Sequence, residues 1–110
     1  MKEFAFTLNL KDDPAAIAEY KYHHDHFWPE VEASLKAVGI LELKIFLLGR
    51  RMFMYICAKD DFNPEIDFPK YLKLHDKCQE WEDLMGTFQE KVPEAGENEK
   101  WAKMERIFDL

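Results

Sequence analysis

The chain has 110 residues, 47% of them hydrophobic and 15% aromatic, which supplies the core of one domain, spanning 1–110, and is too short for two. A formal net charge of -7 leaves no basic face for nucleic acid or an anionic membrane, and no apolar run approaches the roughly 20 residues that cross a bilayer. Lys11, Asp12 and Asp13 interrupt the N-terminal apolar pattern before a signal-peptide core can form. Cys57 and Cys78 match no metal or redox spacing and read as reduced thiols in the core of a cytoplasmic protein.

Taken in order, residues 3–10 alternate, with Phe4, Phe6, Leu8 and Leu10 on one face, which predicts a half-buried strand. Asp13 and Pro14 are an N-cap and a first helical residue. The helix they start meets Pro29, which lacks an N–H and pushes Trp28 out of helical angles. Two helical pieces with an irregular joint follow, and Gly39 ends the second in a left-handed conformation. Residues 41–48 and 52–58 form a hairpin around Gly49, the second strand apolar enough to be covered on both faces. Residues 59–73, with Pro64 and Pro69, hold little more than a short helix or turns.

Helical spacing returns from His75 to Gln89, with Cys78, Trp81, Met85 and Phe88 on one side and Asp76 resembling a cap. An acidic loop, 93–100, precedes a last strand from Trp101 to Leu110. The order β-α-β-β-α-β is the α+β, ferredoxin-like plan, an antiparallel sheet with helices on one face. Its second face is apolar enough to need a partner, so a homodimer of the dimeric α/β-barrel type is expected.

The residues with chemistry concentrate between Glu19 and Glu30, where His23, His24 and His26 stand among tyrosines and a tryptophan. Their spacing points them in different directions on a helix, whereas metal-binding helices place histidines four apart, so no metal is expected. His23 and His26 fall on the polar side of the joint and read as solvated. His24 shares the apolar face with Tyr20, as either a hydrogen-bonded core histidine or an acid–base catalyst. Trp81 is core or a ligand platform, and Glu82 beside it either faces solvent or accepts hydrogen bonds from a ligand. No nucleophile elbow, phosphate loop or dinucleotide fingerprint is present.

Nearly the whole chain resembles the L-rhamnose mutarotase family. The matching pieces are Glu19-Tyr20 with His24, Trp28-Pro29-Glu30, Leu35-Lys36 before Gly39, and Cys78-Gln79-x-Trp81 with Met85. Pro93 to Trp101 and Phe108-x-Leu110 follow. The resemblance implies a small, dimeric, cofactor-free protein that interconverts the α and β anomers of L-rhamnose. It makes His24 the general acid and places Tyr20 and Trp81 against the sugar. Two positions depart from the family's pattern, Glu82 standing for a second tryptophan and Leu43 for a substrate-contacting tyrosine. They leave a related 6-deoxy sugar such as L-fucose open. Two readings of other classes are a dimeric α/β-barrel monooxygenase and a sugar-binding module without catalysis.

Overall fold

In the computed structural model, which describes residues 1–110, three long strands carry the sheet: β1 (Lys2–Leu10), β2 (Ile40–Leu48) and β3 (Arg51–Ala58). All pair antiparallel, with β3 between the other two, so that Ile45, Met54 and Phe6 lie in register across one face. That face also carries Leu8, Met52 and Ile56, each almost fully withdrawn from water. The alternation expected of β1 is the cause, since every second side chain points to the same side.

Two helices cover this face after β1. Asp13 caps α1 (Pro14–Asp25) by accepting a hydrogen bond from the Ala15 N–H at 3.0 Å. The chain then leaves the helix through His26, Phe27 and Trp28, and α2 (Pro29–Ala37) starts at the proline, as its fixed φ and missing N–H favour. Gly39, at φ 106°, turns the chain back into β2, and a register shift between Ile40 and Glu42 follows. An L side chain rarely adopts that φ, which accounts for glycine there.

The second half holds the short helix expected within residues 59–73 and departs from expectation in three other places. Residues 64–72 form a regular helix, α3 (Pro64–Leu72), capped by Asn63, whose side chain accepts from the Glu65 N–H at 3.0 Å. Pro64 begins it, and Pro69 sits within it. The next helix, α4 (Asp76–Gly86), is capped by His75 instead of Asp76, with His75 Nδ1 accepting from the Lys77 N–H at 3.0 Å. Strand β3, although central, buries only alternate residues over most of its length, because no helix crosses its second face.

The long final strand is also absent. The free edge of β1 is met twice, by β4 (Gln89–Glu90) opposite Asn9 and Leu10, and by β5 (Ala102–Lys103) opposite Phe6 and Thr7. The excursion through residues 91–101 removes the middle of what would be one continuous strand. Beyond β5, Met104 N–H donates to the Ala5 carbonyl at 2.7 Å and Arg106 reaches Glu3 at 3.2 Å. Residues 104–110 have no regular structure, and Ile107, Phe108 and Leu110 are exposed. With β4 and β5 sharing the fourth position, the sheet keeps the ferredoxin-like order β2-β3-β1-β4 and the α+β class.

Candidate active site

Between the covered face of the sheet and the helices lies a cavity of about 1110 Å³, bordered at one side by residues 98–101. Tyr20, His24 and Trp81 all stand on its wall. The first two are one helical turn apart on α1, so their rings lie face to face, with centroids 4.5 Å apart and planes within 3°. His24 Nδ1 lies 2.9 Å from the Tyr20 carbonyl. A carbonyl only accepts, so Nδ1 carries the hydrogen, and in the neutral ring Nε2 keeps a lone pair. Burial lowers the His24 pKa below the ordinary imidazole value, and the bond to the Tyr20 carbonyl opposes this only in part. The ring is therefore neutral near neutral pH and offers Nε2 as a base.

Tyr20 is buried, and its hydroxyl oxygen accepts from Gln89 Nε2 at 3.1 Å. Burial pushes its pKa up to about 12, so the hydroxyl keeps a proton it can donate. Trp81 receives the edges of three rings, His24 at 5.1 Å, Phe27 at 4.9 Å and Trp28 at 5.2 Å between centroids. The break at Pro29 permits this. Trp28 adopts an extended conformation, φ -77° and ψ 124°, outside either helix and packs on α4.

The other histidines are not brought to this group. His26 is exposed, its Nδ1 2.9 Å from the Tyr22 carbonyl. His23 is not solvated as its place in the pattern suggested. Its side chain is 20% exposed, and its ring lies against Phe88 at 5.9 Å because the end of α4 folds back beneath α1. Its Nε2 is buried without a hydrogen-bond partner, 3.7 Å from Glu19. No three His, Cys, Asp or Glu side chains converge on one point. Both cysteines are free and buried.

Several further residues stand on the cavity wall. Leu43 from β2 and Gln89 from β4 line it, as do Tyr71 from α3 and Lys100. Glu82 points into the cavity, and its Oε1 accepts from the Tyr71 hydroxyl in a long bond of 3.4 Å. Burial raises its pKa above the ordinary carboxylate range, with Lys100 and Tyr71 opposing and Asp83 adding to the rise. Glu82 had two signals, its adjacency to Trp81 and its place where the family's pattern has a second tryptophan. Tyr71 had none, since its helix carries Pro64 at its start and Pro69 within it and reads from sequence as little more than a short helix or turns.

Fold and cavity define an α+β protein that can hold a small polar molecule between aromatic faces, a neutral imidazole and a carboxyl group. The chain belongs to the L-rhamnose mutarotase family, whose sequence profile matches residues 3–110. An L-rhamnose mutarotase of Acidiphilium cryptum is 49% identical over 111 residues, covering 100% of this chain and 99% of the relative. An L-fucose mutarotase of Xanthomonas campestris is 38% identical over 112 residues, covering 100% of this chain and 89% of the other. The crystal structure of L-rhamnose mutarotase from Formosa agariphila has the same fold, with a TM-score of 0.73 at 22% identity over 100% of this chain and 99% of that one.

Proposed function

We propose that the chain is a sugar mutarotase that interconverts the α and β anomers of a 6-deoxy-L-hexose, L-rhamnose first, by acid–base ring opening. Membership of the family supports the reaction, and one observation carries the mechanism. His24, anchored through Nδ1 to the Tyr20 carbonyl, leaves Nε2 free on the wall of a cavity that Tyr20 and Trp81 also line. Opening a pyranose needs a proton taken from the anomeric hydroxyl and one given to the ring oxygen; closing returns both. A neutral imidazole takes the proton and its protonated form returns it, so His24 serves as base on opening and as acid on closing, and a positioned group of this kind contributes roughly 10²- to 10⁴-fold. Tyr20 donates to a sugar oxygen, and Trp81 covers the apolar side of the ring and its methyl group. No metal or cofactor enters this sequence of steps.

L-Fucose is the second reading, favoured by Leu43 and Glu82, which both line the cavity where the family's pattern has a tyrosine and a tryptophan. Saturation-transfer NMR on L-rhamnose, L-fucose and ordinary hexoses tests both, since it reads anomer exchange at equilibrium. Exchange of L-rhamnose faster than of the others supports the first reading, and fucose-selective exchange supports the second. Binding without exchange would leave a sugar-binding module, and quinol oxidation or haem binding would leave a monooxygenase.

The working form on this reading is a cytoplasmic homodimer. The uncovered sheet face presents Phe46, Leu48 and Phe53, while the tail of residues 104–110 runs along the other edge of the sheet, outside β1. A second copy placed on that face covers these side chains, and a stable interface buries about 1,200–2,000 Å² in all. No helix is long and apolar enough to cross a membrane.

A further inference from the structure

Ring opening moves two protons at once, and the geometry at His24 accounts for one. Its Nδ1–H is committed to the Tyr20 carbonyl, so the neutral ring accepts at Nε2 and cannot also supply the proton for the ring oxygen. A separate acid is required. Tyr20 is a poor choice, because burial holds its pKa near 12. Five carboxylates border the cavity. Glu32 is exposed and paired with Lys36 at 3.5 Å, and Glu42 is paired with Lys44 at 2.7 Å. Asp83 is exposed and accepts from Gln79 Nε2 at 2.8 Å. Glu99 is committed to the N–H groups of Gly96 at 3.0 Å and Lys103 at 3.2 Å. Glu82 alone is drawn out of water with a single long bond, to the Tyr71 hydroxyl at 3.4 Å. It follows Trp81, whose ring touches His24 at 5.1 Å, and its charge is felt at Tyr20.

We propose that Glu82 is the second proton-transfer residue of the reaction, acting on the ring oxygen while His24 acts on the anomeric hydroxyl. The inference rests on the mutarotase reading. On opening, the anomeric hydroxyl proton passes to His24 Nε2 and its oxygen forms the carbonyl. The bond between anomeric carbon and ring oxygen breaks with its electron pair on oxygen, and the Glu82 carboxyl proton goes to that oxygen. The open-chain aldehyde then sits beside an imidazolium and a carboxylate. Closing on the other face returns each proton to its owner, so atoms and charges balance without a co-reactant. The charges facing Glu82 are Lys100, Asp83 on its own helix, the Tyr71 hydroxyl from α3 and the Tyr20 hydroxyl from α1. Environments that push His24 down and Glu82 up suit a neutral base working with a protonated acid.

The test is the pH dependence of anomer exchange in the full-length wild type, Glu82→Gln and Glu82→Asp. The sugar is whichever 6-deoxy hexose the wild type exchanges fastest. The wild-type rate should fall on the acid side as His24 gains a proton and on the alkaline side as Glu82 loses one. Glu82→Gln, which matches the size of the side chain, should lower kcat by about 10²-fold or more and abolish the alkaline fall, with KM little changed. Glu82→Asp should recover part of the rate and restore that fall. A Gln variant that keeps the wild-type kcat and profile, or that raises KM alone, overturns the proposal and leaves Glu82 as a hydroxyl anchor. A wild type inert on every sugar removes the mutarotase reading and this inference with it, whereas an active wild type with an indifferent Gln variant removes only the inference.

Discussion

On the helix-covered side of the sheet Leu8, Met52 and Ile56 are exposed by 0%, 2% and 0%, whereas on the opposite side Phe46, Leu48 and Phe53 are exposed by 56%, 86% and 37%. The same strands carry both faces. Helices α1 to α4 close the first one and leave room for a cavity of about 1110 Å³. Nothing in the chain closes the second, and the tail outside β1 leaves Ile107 and Phe108 exposed as well. Phe46 and Phe53 lie against each other at 6.0 Å between centroids, and exposed apolar groups gathered in this way suit an interaction site. One face of the sheet therefore lines a cavity and the other is left open, and the two can be perturbed separately.

The largest effect belongs to the cavity side. His24→Ala should slow anomer exchange by roughly 10²- to 10⁴-fold, the range of a positioned acid–base group. Folding should survive, because the half-buried ring contributes stacking with Tyr20 and Trp81 and fills no sealed core position. Saturation-transfer NMR with a melting curve on the same sample reads both. Wild-type exchange in this variant would move the proton chemistry elsewhere on the cavity wall.

On the open side, Phe53→Glu should shift the assembly to monomer. A carboxylate pressed into an apolar interface without a partner costs about 3 kcal/mol or more, roughly a 10²-fold loss of association. Sedimentation velocity at micromolar concentration is the measurement. An unchanged sedimentation coefficient, whether dimeric or monomeric, would mean that this face is not the interface between copies.

Sequence pattern served these two sides unequally. Strict alternation in residues 3–10 named the covered face of β1, and the spacing of Tyr20 and His24 placed both on the cavity wall. The joint at Pro29 and the left-handed Gly39 were equally legible, because proline and glycine limit the backbone wherever they stand. What failed was tertiary. The near-continuous apolar run in β3 reads as a strand covered twice, but no element of this chain covers its second face. Trp101 to Leu110 has strand composition throughout, yet only Ala102 and Lys103 pair with β1. His23 looked solvated because α1 alone exposes it; the return of the chain through Phe88 encloses it. Glu82 could be assigned no direction until α3 brought Tyr71 against it.

Neighbouring residues of β2 sharpen the comparison at a smaller scale. Leu43 lines the cavity and Lys44 faces the open side. Leu43→Tyr places a hydroxyl against the sugar and should change the ratio of L-rhamnose to L-fucose exchange by about tenfold, which roughly 1.4 kcal/mol supplies. Such selectivity arises because the wrong epimer leaves a buried hydroxyl unpaired. Lys44→Tyr should leave that ratio alone. Equal ratios in the two variants would remove β2 from the sugar wall.

The smallest effect is expected at His23, the immediate neighbour of His24 on α1. Its ring packs on Phe88 and does not line the cavity, and its Nε2 is buried with no hydrogen-bond partner. Two terms then oppose in His23→Ala. Loss of the contact with Phe88 destabilises, while removal of an unsatisfied polar nitrogen relieves a penalty of about 1–3 kcal/mol. The net change in stability should stay within about 1 kcal/mol, a melting shift of roughly 4–8 °C at most for a chain of this size. Exchange should stay within about twofold of wild type, since no proton of the reaction passes through this ring. The contrast with His24→Ala isolates position on the helix from residue type, because the two side chains differ only by one step of about 100° around α1. Loss of exchange in His23→Ala comparable to that in His24→Ala would show that Phe88 and Gln89 transmit the packing of His23 to Tyr20, and the cavity would then extend functionally to the far side of the helix.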